Sequence, residues 1–339
     1  MNKFILLALF ALYACSPNQG DAPAETEIPE ALSQTDPLPS WNDGTSKEAI
    51  MSFVTEASSE GAAGYILPEN RIAVFDNDGT LWSEQPYYFQ LQYAIDFIKE
   101  NSPEHPEWSS SENVQHILDG DLQSFFEGGE HALLEVVMLS HSGMTSDEFS
   151  ESVRKWLATA QHPKTGQPYN QMIFQPMLEL LDYLRANDFK TFIVSGGGID
   201  FLRVWGEEAY GIPPYQVVGS SIKAKYDASG DEPVIIKVPE INFIDDKEGK
   251  PVGIHQHIGK RPVMAVGNSD GDYAMLQYAT TGQGPRLGVL IHHTDSIREY
   301  AYDRQSAIGN LVRGLDDASA NGWLIVDMAE DWVHVYPFE

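Results

Sequence analysis

Residues 71–82 read R-I-A-V-F-D-N-D-G-T-L-W, and this stretch decides the predicted fold. The apolar run at 72–75 predicts a buried strand, because it is short, rich in branched side chains and bounded by polar residues. It ends in two carboxylates, Asp76 and Asp78, which are followed by a glycine and a threonine. In open parallel α/β sheets, ligands bind beyond the carboxyl ends of the strands. We therefore expect Asp76 and Asp78 to lie at the ligand-binding edge of such a sheet.

A second apolar strand is predicted at 189–195, F-K-T-F-I-V-S, and it ends in the hydroxyl of Ser195. Glycines 196–198 follow, and an amphipathic stretch at 199–205 then predicts a helix. An interpretation of Ser195 as a serine-hydrolase nucleophile fails, since the G-x-S-x-G pattern lacks its upstream glycine. Ser195 is therefore expected at the same sheet edge as the two aspartates.

The third region contains a lysine, Lys250, and further along a turn with acidic residues at 267–272. Lys250 stands directly before a proline and a short helical segment at 252–258. We prefer Lys250 to Lys247, because a proline suits the first turn of a helix and would hold the Lys250 amine near the ligand-binding edge. A further strand at 262–266 then runs into G-N-S-D-G-D at 267–272.

These four segments, in this order, resemble the four motifs of the haloacid dehalogenase (HAD) superfamily, and the chain looks like its phosphoserine phosphatase-like hydrolases. The resemblance implies an α/β fold, a Rossmann-like doubly wound parallel sheet with an inserted helical C1 cap. It places the catalytic core at 41–82 and 166–339 and the helical cap at 83–165. Dehalogenases of this superfamily lack the second aspartate, so the presence of Asp78 favours phosphate ester cleavage over halide release.

The roles of individual residues are also implied by the resemblance. Asp76 would attack phosphorus and form an aspartyl-phosphate, while Asp78 would protonate the leaving alcohol and then activate water. The residues expected to bind phosphate oxygens are Thr80, Ser195, Gly196 and Lys250. The substrate would be a small phosphorylated metabolite.

The resemblance further implies a bound Mg²⁺. Its expected ligands are Asp76, the backbone carbonyl of Asp78, Asn268 and Asp272. The family's fourth motif commonly begins Gly-Asp, whereas here a neutral amide, Asn268, follows the glycine. Asn268 can still offer a carbonyl oxygen to Mg²⁺, and Asp272 would then carry more of the negative charge. Asp270 is an outside candidate for the metal, but we interpret it mainly as a turn residue.

A gap of 119 residues separates Asp76 from Ser195, far more than one crossover helix needs. Helical signals fill this gap: Thr145 begins a capping box with Glu148, and 131–139 is a compact apolar segment. A helical lid of this kind closes over the catalytic edge and excludes bulk water. Small substrates are therefore expected.

The composition of the predicted cap leaves the substrate open. Residues 83–165 hold 14 acidic but only four basic side chains, so few cations are available to bind a substrate carboxylate, and phosphoserine is only one option. The segment is also rich in aromatic residues, which either form its core or face a cationic or apolar leaving group. These residues are Tyr87, Tyr88, Phe89, Tyr93, Phe97, Trp108 and Trp156.

The overall composition excludes several classes of protein. With 339 residues, 42% of them hydrophobic, the chain is long and apolar enough to form a core, which excludes disorder throughout. Its 50 acidic and 21 basic residues give a formal charge of −29, so nucleic acid is not an expected partner. Its single cysteine, Cys15, excludes an intrachain disulfide and a cysteine-based zinc site. The aspartates at 245 and 246 are interpreted as a solvated turn.

The first residues predict export. A cationic start and an uncharged run at 4–14, too short to span a bilayer, indicate a signal peptide over residues 1–14. The run ends at Cys15 in a sequence that resembles a bacterial lipobox, which implies a lipidated cysteine. Residues 15–40, rich in proline and acids, then predict a disordered linker. We expect a lipoprotein on the periplasmic side of a bacterial membrane, with the outer membrane favoured.

The sequence thus predicts an exported, Mg²⁺-dependent phosphomonoester hydrolase that contacts a membrane only through its lipid anchor. Two alternatives stay open. One is a phosphotransferase of the same superfamily, which passes the phosphoryl group to an alcohol other than water. The other is a weakly active lipoprotein that binds phosphorylated ligands, suggested by the amide at Asn268.

Overall fold

The computed structural model describes residues 36–339, apart from the side chain of Glu130. The predicted signal peptide, the predicted lipidation site at Cys15 and most of the predicted linker lie outside these residues. Residues Pro37–Glu339 form one compact unit. Within residues 36–339, no helix is both long enough and apolar enough to cross a bilayer.

Seven strands form one sheet. They are β1 (Ile72–Phe75), β2 (Lys190–Gly198), β3 (Val217–Asp227), β4 (Val234–Phe243), β5 (Met264–Gly267), β6 (Leu287–His292) and β7 (Leu324–Asp327). Their order across the sheet is β4-β3-β2-β1-β5-β6-β7, and every neighbouring pair is parallel except β3 and β4. The chain therefore builds outward from β1 on one side and from β5 on the other. This reversal between β1 and β5 is the position at which doubly wound sheets bind ligands.

The helices fall into two groups. Those packed around the sheet are α1 (Thr45–Ser58), α7 (Gln175–Ala186), α8 (Ile199–Arg203), α9 (Gly206–Tyr210), α10 (Gly249–Gly253), α11 (Tyr273–Thr280), α12 (Arg313–Asn321) and α13 (Met328–Asp331). Those inserted between β1 and α7 are α2 (Phe89–Asn101), α3 (Glu112–Asp119), α4 (Leu122–Glu127), α5 (Gly129–His141) and α6 (Ser146–Thr159).

Alternate residues of β1 enter opposite layers, as the period of two along a strand requires. Ala73 and Phe75 belong to the larger apolar core, which also holds the buried faces of α1 and α7. Ile72 and Val74 belong to a second core with α11 and α12. Both faces of the sheet are therefore covered by helices, and the predicted α/β fold with a doubly wound, mostly parallel sheet is confirmed.

The inserted helices have a small apolar core of their own, formed mainly by α2, α3, α4 and α5. Thr145 caps α6 and forms the predicted capping box with Glu148. The segment predicted to be helical is thus helical, while its separation as a distinct cap domain stays a prediction.

The antiparallel hairpin of β3 and β4 was not predicted from the sequence. β4 pairs with the inserted helical segment as well as with β3: the Gly143 N–H donates to the Lys237 carbonyl at 2.9 Å, and the Lys237 N–H donates to the Met144 carbonyl at 2.9 Å. The hairpin and the inserted helices therefore meet over the carboxyl edge of the sheet.

Candidate active site

The loop after β1 turns sharply and holds Asp76 at the carboxyl edge of the sheet. The Asp76 N–H still bonds to the sheet, donating to the Val266 carbonyl at 2.9 Å. The Asn77 carbonyl then accepts from the N–H groups of the next turn. Gly79 has a φ of +75°, and a Cβ there would lie 2.0 Å from Asn268 Nδ2. Glycine is therefore required at this position by both the backbone conformation and the close approach of Asn268.

Lys250 joins two acidic residues at the bottom of the site. Its Nζ donates to Asp76 Oδ1 at 2.6 Å, to Asp272 Oδ1 at 2.7 Å and to the Val194 carbonyl at 2.9 Å. Burial alone would lower the pKa of Lys250, but the carboxylates of Asp272 and Asp76 outweigh it and raise that pKa well above its usual value. The ammonium is therefore permanently charged. Lys247, the alternative lysine, is exposed and lines the cavity wall.

Asp78 lies beside Asp76 and also faces the cavity. Its Oδ1 accepts a hydrogen bond from Trp82 Nε1 at 2.8 Å. Burial raises the pKa of Asp78 to about 6, although the Trp82 N–H partly opposes this shift. Burial, together with the carboxylate of Asp272, also raises the pKa of Asp76, against the effect of Lys250. A carboxyl group with the pKa of Asp78 can both donate and accept a proton near neutrality.

Asp272, which was predicted as a metal ligand, has hydrogen-bond partners for both of its carboxylate oxygens. While its Oδ1 accepts from Lys250, its Oδ2 accepts from the N–H groups of Asn268 at 3.0 Å and Ser269 at 3.1 Å. Both carboxylate oxygens are therefore engaged by the protein, and Asp272 holds Lys250 and the turn after β5. Asp270, the outside candidate, accepts from the N–H groups of residues 312–314 at the start of α12.

Thr80 and Ser195, which were predicted to bind phosphate, have hydrogen-bond partners within the protein. Thr80 is fully buried, and its hydroxyl donates to Asn268 Oδ1 at 3.1 Å. Ser195 is fully buried as well, and its Oγ accepts the Gly197 N–H at 3.0 Å. Neither side chain lines the cavity, whereas the backbone at Gly196 does. Both hydroxyls thus shape the loops that surround the cavity.

Glu84 is a site residue that the sequence interpretation missed. It is 2% exposed and lines the cavity, and its Oε1 accepts from Asn268 Nδ2 at 2.7 Å and from the Tyr302 hydroxyl at 2.8 Å. Burial raises the pKa of Glu84 well above its usual value, with smaller contributions from Asp78 and Asp76. One signal could have found it: an acid close after the first motif, in a chain that has an amide at position 268 of the fourth motif.

The cavity above these groups has a volume of about 370 Å³. Its far walls come from α5 and the β3–β4 hairpin and are mostly apolar. The residues of these walls include Leu133, Leu134, Val137, Met138, Ile222, Ile241 and Phe243. The cavity is therefore polar at the sheet edge and apolar away from it.

One cation stands in the apolar part of the cavity, and the hairpin rather than the inserted helices supplies it. Lys237 is 4% exposed, forms an ion pair with Asp200 and lies over the Phe149 ring at 4.7 Å. His141 lies nearby, and burial together with Lys237 lowers its pKa to about 3, so its ring is neutral. The scarcity of cations in residues 83–165 thus does not describe the whole cavity.

The four groups predicted to bind Mg²⁺ differ in whether the protein already engages them. Within residues 36–339, no hydrogen bond engages Asp76 Oδ2 or the Asp78 carbonyl, and both are oxygen donors of the kind Mg²⁺ prefers. Asn268 instead directs its Oδ1 at Thr80 and its Nδ2 at Glu84. No three acidic, histidine or cysteine side chains converge on one point in the described part of the chain. The residues fit an ion that keeps several waters, as Mg²⁺ does.

Several solved structures are similar to this chain. A functionally unknown protein from Anaerococcus prevotii is 16% identical over 74% of this chain and 86% of its own, with a TM-score of 0.48. A protein of unknown function from Bordetella pertussis is 16% identical over 76% and 99%, with a TM-score of 0.47. A phosphoserine phosphohydrolase-like protein from Francisella tularensis is 14% identical over 74% and 98%, with a TM-score of 0.37. Likenesses this distant transfer no activity to this chain.

No curated protein matches the sequence. The model of the haloacid dehalogenase-like hydrolase family, however, matches residues 73–277. This match covers more than half of the chain and includes Asp76, Asp78, Ser195, Lys250 and Asp272 in one continuous span. The chain therefore belongs to the haloacid dehalogenase-like hydrolase family.

Proposed function

We propose that this hydrolase is an Mg²⁺-dependent phosphatase that cleaves a small phosphomonoester through an aspartyl-phosphate on Asp76. The observation that carries the proposal is the position of Asp76. Lys250 fixes its Oδ1 at 2.6 Å, and its Oδ2 is left to face the cavity beside Asp78. A carboxylate oriented by a buried cation and placed next to a proton donor suits nucleophilic attack on phosphorus.

Asp76 acts as the nucleophile, and Asp78 acts as the general acid and base. Asp76 Oδ2 forms a bond to phosphorus as the bond from phosphorus to the ester oxygen breaks, and Asp78 gives its proton to that departing oxygen. Asp78 then takes a proton from water, whose oxygen attacks the phosphorus of the aspartyl-phosphate. Inorganic phosphate leaves and Asp76 is restored. Lys250 keeps its charge and holds Asp76 in place throughout.

Asp76 and the Asp78 carbonyl would hold the Mg²⁺. When bound, the ion neutralises phosphate charge and so reduces the repulsion between the substrate and the carboxylates. The protein itself supplies a small cavity that limits access of water and large substrates.

The cavity walls favour a particular kind of alcohol. Beyond the sheet edge most of the wall residues are apolar, and two charged side chains among them, Lys237 and Asp200, neutralise each other in an ion pair. Of the two lysines in these walls, Lys237 is thus already neutralised and Lys247 is exposed. We therefore propose a small phosphomonoester whose alcohol part is mainly apolar.

Phosphate release tests the proposal, with p-nitrophenyl phosphate, phosphocholine, phosphoserine and nucleotides as substrates, each with and without Mg²⁺. Asp76→Asn should lower the rate by at least about 10³-fold, because it removes the nucleophile. Asp231→Asn, an exposed aspartate in the hairpin turn, is the matched control. Equal rates in Asp76→Asn and the parent would exclude Asp76 as the nucleophile.

The same assay separates the two alternatives. Added acceptor alcohols would yield new phosphate esters if the chain were a phosphotransferase. A parent protein that binds phosphomonoesters but releases no phosphate from any of them would instead be a binding protein.

A further inference from the structure

The fourth motif of this chain carries an amide, Asn268, and a buried carboxylate, Glu84, lies directly against it. We propose that Glu84 supplies the negative charge that is missing at position 268 and so completes the Mg²⁺ site. This inference rests on the proposed function, because it concerns the ion that the proposed reaction uses.

Hydrogen bonds leave one oxygen of Glu84 available. Asn268 Nδ2 and the Tyr302 hydroxyl both donate to Oε1, at 2.7 Å and 2.8 Å. Within residues 36–339, no hydrogen bond engages Oε2, and Glu84 lines the same cavity as Asp76 and Asp78. The carboxylate is thus held by one oxygen while the other remains free to bind a cation or its water shell.

Glu84 also fixes the orientation of Asn268. Glu84 Oε1 accepts from Asn268 Nδ2, which leaves Asn268 Oδ1 to accept from the Thr80 hydroxyl. An aspartate at 268 would instead place two carboxylates within about 3 Å of each other, and such a pair resists ionisation. The acid at 84 and the amide at 268 therefore form a complementary pair.

The backbone around Glu84 leaves room for its carboxylate. A Cβ on Gly79 would lie 2.5 Å from Glu84 Oε1, and a Cβ on Gly309 would lie 2.0 Å from the same atom. Both glycines have positive φ values, +75° and +67°. Gly79 and Gly309 are far apart in sequence, and both lack a side chain at the place where the Glu84 carboxylate lies. The Tyr302 hydroxyl holds this carboxylate in place.

Calorimetric titration of Mg²⁺ into the metal-stripped full chain tests the inference. Glu84→Gln should bind Mg²⁺ about 10- to 100-fold more weakly than the parent, because the charge is lost while the shape is kept. The double variant Glu84→Gln/Asn268→Asp reverses the two groups and should bind within about threefold of the parent. Glu112→Gln, an exposed acid at the start of α3, controls for the change in net charge.

Parent-like Mg²⁺ affinity in Glu84→Gln would overturn the inference. So would a double variant that binds more than about tenfold more weakly than the parent, and this second variant decides the question even if Glu84→Gln does not fold. Melting temperatures with and without Mg²⁺ provide an independent reading, since a bound ion stabilises the folded state. A parent that binds Mg²⁺ but hydrolyses nothing contradicts only the proposed function, and the titration still decides the role of Glu84.

Discussion

At the scale of single residues, the sequence predicted which groups are close together better than it predicted where they point. Asp76 and Lys250 lie 174 positions apart in sequence, and the order of strands and motifs was enough to bring them together. The hydrogen-bond partners of Thr80 and Asp272 were not predicted, because the motifs do not reveal them. Thr80 faces Asn268, whose orientation depends on Glu84, and Asp272 is held by Lys250 and two backbone amides.

Asp245 shows the same limitation. The sequence predicted a solvated turn, but Asp245 is fully buried, and neither of its carboxylate oxygens has a hydrogen-bond partner in the described residues. A Cβ on Gly253 would lie 2.3 Å from its Oδ1. The turn is therefore packed against α10 rather than exposed, which the local sequence could not indicate.

Burial raises the pKa of Asp245 to about 7, which makes stability depend on pH. Between about pH 4 and pH 7 the folded state keeps a proton that the unfolded state has lost, so the free energy of unfolding falls as the pH rises. Asp245→Asn removes this effect. We expect the variant to gain about 4 kcal/mol over the parent at pH 8 and less than about 1 kcal/mol at pH 4.

Urea unfolding of both proteins from pH 4 to pH 8 measures this difference. The comparison cancels the contributions of other carboxyl groups, such as Glu84, whose pKa values are also raised. A difference that stays constant across the pH range would show that Asp245 does not titrate in this interval.

At the scale of elements, strands with apolar runs were predicted to within a few residues, and the hairpin was not predicted. β1 and β5 are buried along their length, so burial and sequence agree. The distal half of β3 and most of β4 are exposed or half-buried, so the alternation of Ile222, Ala224 and Tyr226 with lysines marks no buried face. Their position depends on pairing with each other and with the inserted helices, which only the folded chain provides.

The apolar wall on α5 makes a prediction about substrate choice. Met138→Gln keeps the length of the side chain but places an amide in the wall. We expect kcat/KM for p-nitrophenyl phosphate to fall about tenfold, because roughly one to two kcal/mol of apolar contact is lost. The value for phosphoserine should change little.

Steady-state kinetics on both substrates check this prediction. Leu118→Gln on α3, a partly exposed apolar residue away from the cavity, is the control. An equal loss for both substrates would mean that Met138 affects the site in general and does not contact the alcohol part.

At the scale of the whole molecule, the fold class followed from four short segments, while the relation of the chain to its surroundings did not. Residues Pro37–Glu339 form one compact unit, and the Trp41 and Trp332 rings pack edge to face near its two ends, with centroids 5.9 Å apart. The family match at 73–277 ends before β6 and β7, yet both strands extend the same sheet. The predicted export signal and lipid anchor lie outside the described residues, so they stay predictions.

Cell fractionation tests the predicted anchor. We expect Cys15→Ser to move the protein from the membrane fraction to the periplasmic fraction, because one cysteine carries the only thiol available for lipid attachment. Ser16→Ala, at the neighbouring position, is the control and should stay with the membrane. Unchanged fractionation of Cys15→Ser would remove the lipoprotein prediction and leave the proposed phosphatase activity unaffected.

The pairing of the inserted segment with β4 has a kinetic consequence. Two hydrogen bonds join the inserted segment to β4 beside the cavity. They run from the Gly143 N–H to the Lys237 carbonyl and from the Lys237 N–H to the Met144 carbonyl. A ligand that enters by parting these segments must break both bonds, and the same event exposes both amides to solvent deuterium. Deuterium uptake at Gly143 and Lys237 would then report the opening frequency, which sets a ceiling on how often such an entrance can admit substrate or release phosphate.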